Sequence, residues 1–263
     1  MLVPTARRIA REFAQCDEVL GSRELPDAAH WILDHFSASV EVGGLARVPR
    51  RGPILLVANH PGLTDAMVLI AALDRPDVRI VAADYPFLHA MRGLAPRLIF
   101  LGASGASQLG WIRAVSRGLR HGGVVLLFPA GRLEPDPAVL GTDGALLPWS
   151  ASVDVIRRLA PETQIVPAAV TGVLSALAFG HPLTRIRRKP RDRQRVATLL
   201  QMIYPRYRSV GARISFGSPL AANFDGGVSA LLAARMRDLI SDPPSDWSPL
   251  SRRATDPATT TAA

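Results

Sequence analysis

The stretch Pro53-Ile-Leu-Leu-Val-Ala-Asn-His60-Pro-Gly-Leu-Thr-Asp65 decides how the rest of the chain reads. Ile54 to Ala58 is a continuous apolar run, β-branched in part and stopped by Pro61-Gly62, which predicts a buried strand of an α/β sheet. The chain then restarts as a helix near Thr64. Asn59 and His60 fall just past the carboxyl end of the strand, where open α/β sheets place their ligand crevices. Asp65 comes in the first turn of the next helix. On an ideal helix the His60–Asp65 spacing would put the two side chains on different faces. The Pro-Gly turn lifts that constraint, because His60 need not be helical and the loop can fold imidazole onto carboxylate. Such a pair suits general-base chemistry on a hydroxyl, with Asp65 fixing the tautomer and His60 taking the proton. Read by itself, the stretch also fits a loop histidine satisfied by backbone groups.

Composition sets the limits around this stretch. A chain of 263 residues with 48% hydrophobic content can bury a sizeable core. The longest apolar runs, such as Met67 to Leu73 and Val124 to Phe128, fall well short of the roughly 18–20 residues that span a bilayer. Arg7, Arg8 and Arg11 have no apolar stretch behind them, so no signal peptide is read, and a cytoplasmic location is expected. Cys16 is the single cysteine, which rules out an internal disulfide and argues against a zinc-thiolate cluster; no metal is expected. The net charge of +9 is carried almost wholly by arginine, Lys189 being the one lysine. A basic surface points to an acidic partner: anionic lipid headgroups, an acidic carrier protein or nucleic acid.

Outward from the opening stretch, the pattern is βα throughout. Residues 5–20 carry Ile9, Phe13, Cys16 and Leu20 at helical spacing, and a second amphipathic stretch from Pro26-Asp27 groups Trp31, Ile32, His35 and Phe36. These read as a helical arm packed on the core or as an interfacial pair of helices touching a membrane. Val40 to Val48 predicts a strand or hairpin. Strands follow at Val78 to Ala82, Arg97 to Leu101, Gly123 to Phe128, Gln164 to Val170 and Arg213 to Phe216. Helices are expected over Thr64 to Leu73, Phe87 to Leu94, Gln108 to His121, Ser150 to Leu159, Asp192 to Ile203 and Val228 to Ile240. The Pro-, Gly- and Asp-rich loop from Pro129 to Pro148 is long enough to suggest function. The expectation is an α/β fold, a mixed sheet flanked by helices, with a helical arm at 1–37, the main domain at 38–241 and a disordered tail at 242–263.

A second unusual stretch, Phe128-Pro-Ala-Gly-Arg-Leu-Glu134-Pro-Asp136, follows directly on a buried strand. Gly131 lets backbone amides approach a ligand, and Arg132 offers a planar fork suited to phosphate. With these residues the chain resembles the glycerolipid acyltransferases, the PlsC-like, lysophosphatidate acyltransferase family. The resemblance rests on Asn59-His60-x4-Asp65, on Phe128-Pro-Ala-Gly131 as a variant of the family's Phe-Pro-Glu-Gly-Thr-Arg-Ser block, and on Ile165-Val-Pro167-Ala-Ala-Val170. It covers roughly residues 38 to 217. It implies that a fatty acyl group passes from a thioester of coenzyme A or acyl carrier protein to a lipid hydroxyl, with no bound cofactor. It implies His60 as general base, Asp65 as its partner, Phe128, Pro129 and Gly131 as a wall of the acceptor pocket, and Pro167 on the acyl-donor side. Asn59, Ala130, Arg132 and Glu134 complete the expected substrate-binding set. An anionic membrane surface is the implied partner, with peripheral attachment at the inner face.

The chain departs from the family pattern in three places. Ala130 stands where the family has Glu, Arg132 is displaced by one position, and Glu134 is a candidate replacement carboxylate. No arginine follows Phe100-Leu-Gly-Ala-Ser104 until Arg113. The rival reading is a catalytically inactive, lipid-binding homologue of the same fold. A serine hydrolase is disfavoured because Gly102-Ala-Ser104-Gly105 is one residue short of the nucleophile-elbow pattern. The cations from Arg185 to Arg195 lack a nucleic-acid reading motif, so nucleic acid is not an expected partner. The other five histidines are read as structural.

Overall fold

The computed structural model describes residues 2–102, 106–220 and 227–251. In chain order the elements are α1 (Leu2–Ser22), α2 (Leu25–Phe36), β1 (Ser39–Gly43), β2 (Ile54–Ala58), α3 (Asp65–Leu73), β3 (Val78–Ala82), α4 (Pro86–Ala90), β4 (Leu98–Phe100), α5 (Ala106–Arg120), β5 (Val124–Leu127), α6 (Pro137–Leu140), α7 (Ser152–Leu159), β6 (Gln164–Thr171), α8 (Ala176–Phe179), α9 (Pro190–Ile203), β7 (Gly211–Phe216), α10 (Val228–Ser241) and β8 (Ser248–Pro249).

The strands form one eight-stranded mixed sheet in the order β4-β3-β5-β2-β6-β7-β1-β8. From β4 to β6 every pairing is parallel, while β7 runs antiparallel to β6. β2 lies between β5 and β6, and every one of its residues is buried. Its alternation divides the core in two, since successive side chains of a strand point to opposite faces. Ile54, Leu56 and Ala58 meet Leu25, Ile32 and Leu33 of α2 and Val68, Leu69 and Ile70 of α3. Leu55 and Val57 meet Ile112, Val115 and Leu119 of α5, Val153 and Ile156 of α7, and Leu232 of α10. Each such side chain contributes about 1.5–3 kcal/mol on burial, which fixes the register of the central strand.

The structure corrects several sequence expectations. α2 itself follows the core-packed reading of the arm: its apolar face is turned into the main core, with Leu25, Ala28 and Ala29 fully buried and Ile32 beside them. The helix expected to Leu94 stops at Ala90, and a short 3-10 turn at Ala95–Arg97 leads into β4. On α5, Leu109 is exposed although it lies at helical spacing from the buried Ile112, Val115 and Leu119. α6, α8 and the 3-10 turn at Pro182–Ile186 lie where no element was read. Val40 belongs to no hairpin; β1 pairs in parallel with β7 and antiparallel with β8. The expected disordered tail therefore does not hold for 242–251. β8 pairs with β1, Asp246 accepts a hydrogen bond from the Gly44 amide at 3.0 Å, and Arg213 lies over the Trp247 ring. Ser104 of the discarded hydrolase pattern and the tail from 252 onward lie outside the described residues.

Candidate active site

Because β2, β5 and β6 are parallel neighbours, the loops leaving their carboxyl ends emerge on the same edge of the sheet, and there the separate sequence blocks meet. His60 leaves β2 in the loop that Pro61-Gly62 bends back toward α3. Its Nδ1 lies 2.7 Å from Oδ2 of Asp65. That carboxylate is almost completely buried, at 1% exposure, and it also accepts hydrogen bonds from the Gly62 amide at 3.0 Å and the Ala66 amide at 2.8 Å. Asp65 sits in the first turn of α3, where a helix favours negative charge. Gly62 is required by close approach: a Cβ there would come within 2.8 Å of Val173 Cγ2. The imidazole itself is 31% exposed and stacks on Phe128, the ring centroids 4.6 Å apart. Phe128 follows β5 directly, so two strand ends hold the ring between a carboxylate and an aromatic wall.

Burial pulls the pKa of His60 down, but the Asp65 charge, its hydrogen bond and the Glu134 charge outweigh it and leave the imidazole above its ordinary value. With Nδ1 engaged by Asp65, Nε2 is the nitrogen available for proton transfer.

Beneath His60 lies a polar frame. Glu134 is fully buried, and its Oε2 accepts from the His60 amide at 3.1 Å while its own amide donates to the His60 carbonyl at 2.7 Å. Its Oε1 accepts from the Leu147 amide at 2.8 Å and from Trp149 Nε1 at 3.1 Å. Burial pushes the pKa of Glu134 up, against the lowering effect of these donors and of the His60 charge. Gln194 of α9 donates through Nε2 to the carbonyls of both Pro61 and Glu134 at 2.8 Å. Asp136 accepts from the amides of Ala138, Gly172 and Leu174, which ties the loop to the end of β6. Its burial pushes its pKa up against those same donors.

The expected substrate-binding set divides accordingly. Phe128 stands beside His60, and Pro129, Ala130, Gly131 and Arg132 continue from it as a hydrogen-bonded turn in which Pro129 is buried and only Gly131 and Arg132 are exposed. Gly131 has φ +62 and its amide donates to the Phe128 carbonyl at 3.0 Å; a side chain would meet nothing there, so the backbone angle is what calls for glycine. Arg132 is exposed. Asn59 and Glu134 offer a substrate no surface. Asn59 is fully buried and both ends of its amide are used by the Val170 backbone, at 2.7 and 2.8 Å, joining β2 to β6. Pro167 sits within β6 opposite Val57 and faces a different cleft, lined also by Arg47, Gly217, Ser218 and Arg235. Gln194, Asp136 and Trp149 were missed as site residues. Their partners lie far away in sequence, 133 residues in the case of Gln194 and Pro61, and no local motif signals them. His89, read as structural and unpaired, lies 2.5 Å from Asp84. Among the described residues no group of His, Cys, Asp and Glu converges as a metal site.

The sheet is parallel through its centre, and the His60–Asp65 pair stands at its carboxyl edge. Residues 39–171, half of the chain, match the Acyltransferase family, and the chain belongs to it. It is 30% identical over 101 residues to a lyso-glycine lipid O-acyltransferase of Bacteroides thetaiotaomicron; the match covers 38% of this chain and 37% of that protein. The chain thus spans just over a third of that relative's length. The fold is shared with the 1-acyl-sn-glycerophosphate acyltransferase PlsC of Thermotoga maritima, at a TM-score of 0.52 and 15% identity, over 89% of this chain and 81% of that one.

Proposed function

We propose that this protein transfers a fatty acyl group from a thioester of coenzyme A or acyl carrier protein to the hydroxyl of a lysophospholipid or related lysolipid. The observation that carries this reading is the 2.7 Å contact between His60 Nδ1 and the buried Asp65 carboxylate, with the imidazole part-exposed beside Phe128. Nε2 of His60 removes the acceptor proton as the hydroxyl oxygen attacks the thioester carbonyl, and Asp65 stabilises the imidazolium that forms. The tetrahedral oxyanion, held by backbone amides of the surrounding loops, collapses with loss of the thiolate, which takes the proton back from His60. The reaction runs in the cytoplasm with the protein attached peripherally to the inner face of the membrane. No described helix is long and apolar enough to cross a bilayer.

The acceptor need not carry a phosphate. Ala130 replaces the family's Glu, Arg132 is displaced, and the Bacteroides relative is named for a glycine lipid. Glu134 does not restore the missing carboxylate to the pocket, because it is buried beneath His60. The inactive-homologue reading has less support, since the base and its partner are intact and fully oriented. The test is turnover of labelled acyl-coenzyme A and acyl carrier protein with lysophosphatidate, lysophosphatidylglycerol and lyso-glycine lipid as acceptors. His60→Ala should lower kcat by about 10²–10⁴-fold. Unchanged turnover in that variant would overturn the assignment.

A further inference from the structure

The strands from β4 to β6 are parallel, so every loop leaving them at the carboxyl end emerges on the edge that holds His60. Exposed large apolar side chains gather on those loops: Leu63 after β2, Tyr85 and Phe87 after β3, and Leu177, Leu183 and Ile186 after β6. The last three stand out. Leu177 and Ile186 are each 74% exposed, on a segment that also exposes Arg185, Arg187, Arg188 and Lys189. No Asp or Glu occurs anywhere from 163 to 191. None of these four cations makes an ion pair with a carboxylate among the described residues.

The apolar side chains are held outward by the local structure. Thr184, fully buried, donates through Oγ1 toward the carbonyls of Phe179 and His181 at 2.8 Å, and the Leu183 amide donates to His181 Nδ1 at 3.2 Å. Arg193 covers the Phe179 ring at 4.6 Å, securing α8 against α9. A loop fixed in this way cannot fold Leu183 and Ile186 inward. Both ends of the segment are also tied to the catalytic loop. Before it, the Gly172 and Leu174 amides donate to Asp136; after it, Gln194 donates to the carbonyls of Pro61 and Glu134.

We propose that residues 176–189 form a docking surface for an anionic lipid bilayer, seating Leu177, Leu183 and Ile186 among the acyl chains and the four cations on the headgroups. The proposal rests on the acyl-transfer reading, to which it adds the face on which the protein sits while it draws its acceptor from the membrane. The chemistry favours a bilayer over nucleic acid. Apolar side chains interleaved with arginines, as in Arg185-Ile186-Arg187, match an interfacial segment. A polyanion in water would leave Leu177 and Ile186 uncovered, and the segment's one aromatic apart from His181, Phe179, is already covered by Arg193.

The experiment is co-sedimentation of the full chain with vesicles of phosphatidylcholine alone and of phosphatidylcholine mixed with phosphatidylglycerol, at low and high salt. Each cation near an anionic surface is worth about fivefold in partitioning. Wild-type protein should therefore sediment with the mixed vesicles at low salt and bind the neutral ones far less. Replacing Arg185, Arg187, Arg188 and Lys189 by Glu together should lower partitioning at least a hundredfold. Leu177→Ser with Ile186→Ser should lower it at least tenfold while keeping the salt dependence, and this milder pair serves if the charge reversal does not fold. Acyl transfer to a short-chain, water-soluble lysolipid should be unchanged in both variants, which separates this proposal from the catalytic one. Loss of that activity in the wild type would sink the acyl-transfer reading even with vesicle binding intact. Wild-type protein that fails to bind mixed vesicles, variants that bind as well as wild type, or a duplex that outcompetes the vesicles would each overturn the docking surface.

Discussion

Two histidine–aspartate pairs stand at strand ends of this protein, and they mirror each other in sequence. In one, His60 precedes Asp65; in the other, Asp84 precedes His89, each pair five residues apart. Both contacts are short, 2.7 and 2.5 Å, and both imidazoles stack on a phenylalanine from another strand end, Phe128 for His60 and Phe100 for His89. The surroundings differ. Asp65 is 1% exposed, receives two backbone amides and sits at a helix start, whereas Asp84 is 49% exposed and His89 is 51% exposed. The His60 backbone is paired in both directions with Glu134. A His–Asp contact in water is an ordinary surface ion pair worth about 0–1 kcal/mol. The same contact around a buried, hydrogen-bonded carboxylate is held in one orientation by its surroundings, which is the preorganisation that the proposed proton transfer calls for.

The sharpest way to break the comparison is to remove each imidazole in turn. His60→Ala should lower kcat by about 10²–10⁴-fold with the fold intact by circular dichroism, while His89→Ala should leave kcat within about twofold. Equal losses would mean that the buried pair has no special role.

Exchanging the carboxylates comes next in size. Asp65→Asn should cut kcat by about a hundredfold, and it should also move the acid limb of the pH–rate profile. His60 acts as a base only when neutral, and its pKa is raised, so wild-type activity should rise through a pH above the ordinary histidine value. Without the Asp65 charge that limb should shift to lower pH. Stability follows the same linkage: the stabilisation is complete below the unfolded-state histidine pKa and is lost as pH rises through the raised folded value. Denaturant midpoints measured against pH should show this fall in wild type and a flatter dependence in Asp65→Asn. Asp84→Asn should leave the pH–rate profile of acyl transfer in place.

Glu134→Gln probes the frame under His60. The side-chain amide keeps one oxygen for Leu147 and Trp149 but turns a donor toward the His60 amide. The expected cost is about 1–3 kcal/mol of stability in urea unfolding, together with a lower kcat. Smallest is Asp84→Ala, which should shift stability by under about 1 kcal/mol.

Much of this was legible because the governing signals are local. β2 and β3 have the bounds their apolar runs predict, and the Pro-Gly break after His60 anticipated a loop that folds imidazole onto carboxylate. Asn59 and Glu134, expected in the substrate-binding set, are both fully buried, and the sequence hid this for a shared reason. A polar residue in a motif reads alike whether it faces a ligand or other protein groups, and these side chains are spent on backbone groups and, for Glu134, on Trp149 as well. The pairing of Asp84 with His89 went unread because Asp84 lies just ahead of α4 and His89 on it, a spacing that no helical period signals. The stretch 242–251 was misread because its composition is that of a solvated segment, while β1 offers an open edge that β8 fills.

The sequence by itself determined the βα order, the central buried strand and the residues able to act as base and orienter, since alternation, turn chemistry and side-chain type are properties of short segments. Only the tertiary structure decided which polar residues are buried against backbone groups and which of two similar His–Asp pairs has its carboxylate buried and held by backbone amides. Burial, and the donors brought to Asp65 and Glu134 by distant parts of the chain, exist only once the sheet has closed around them.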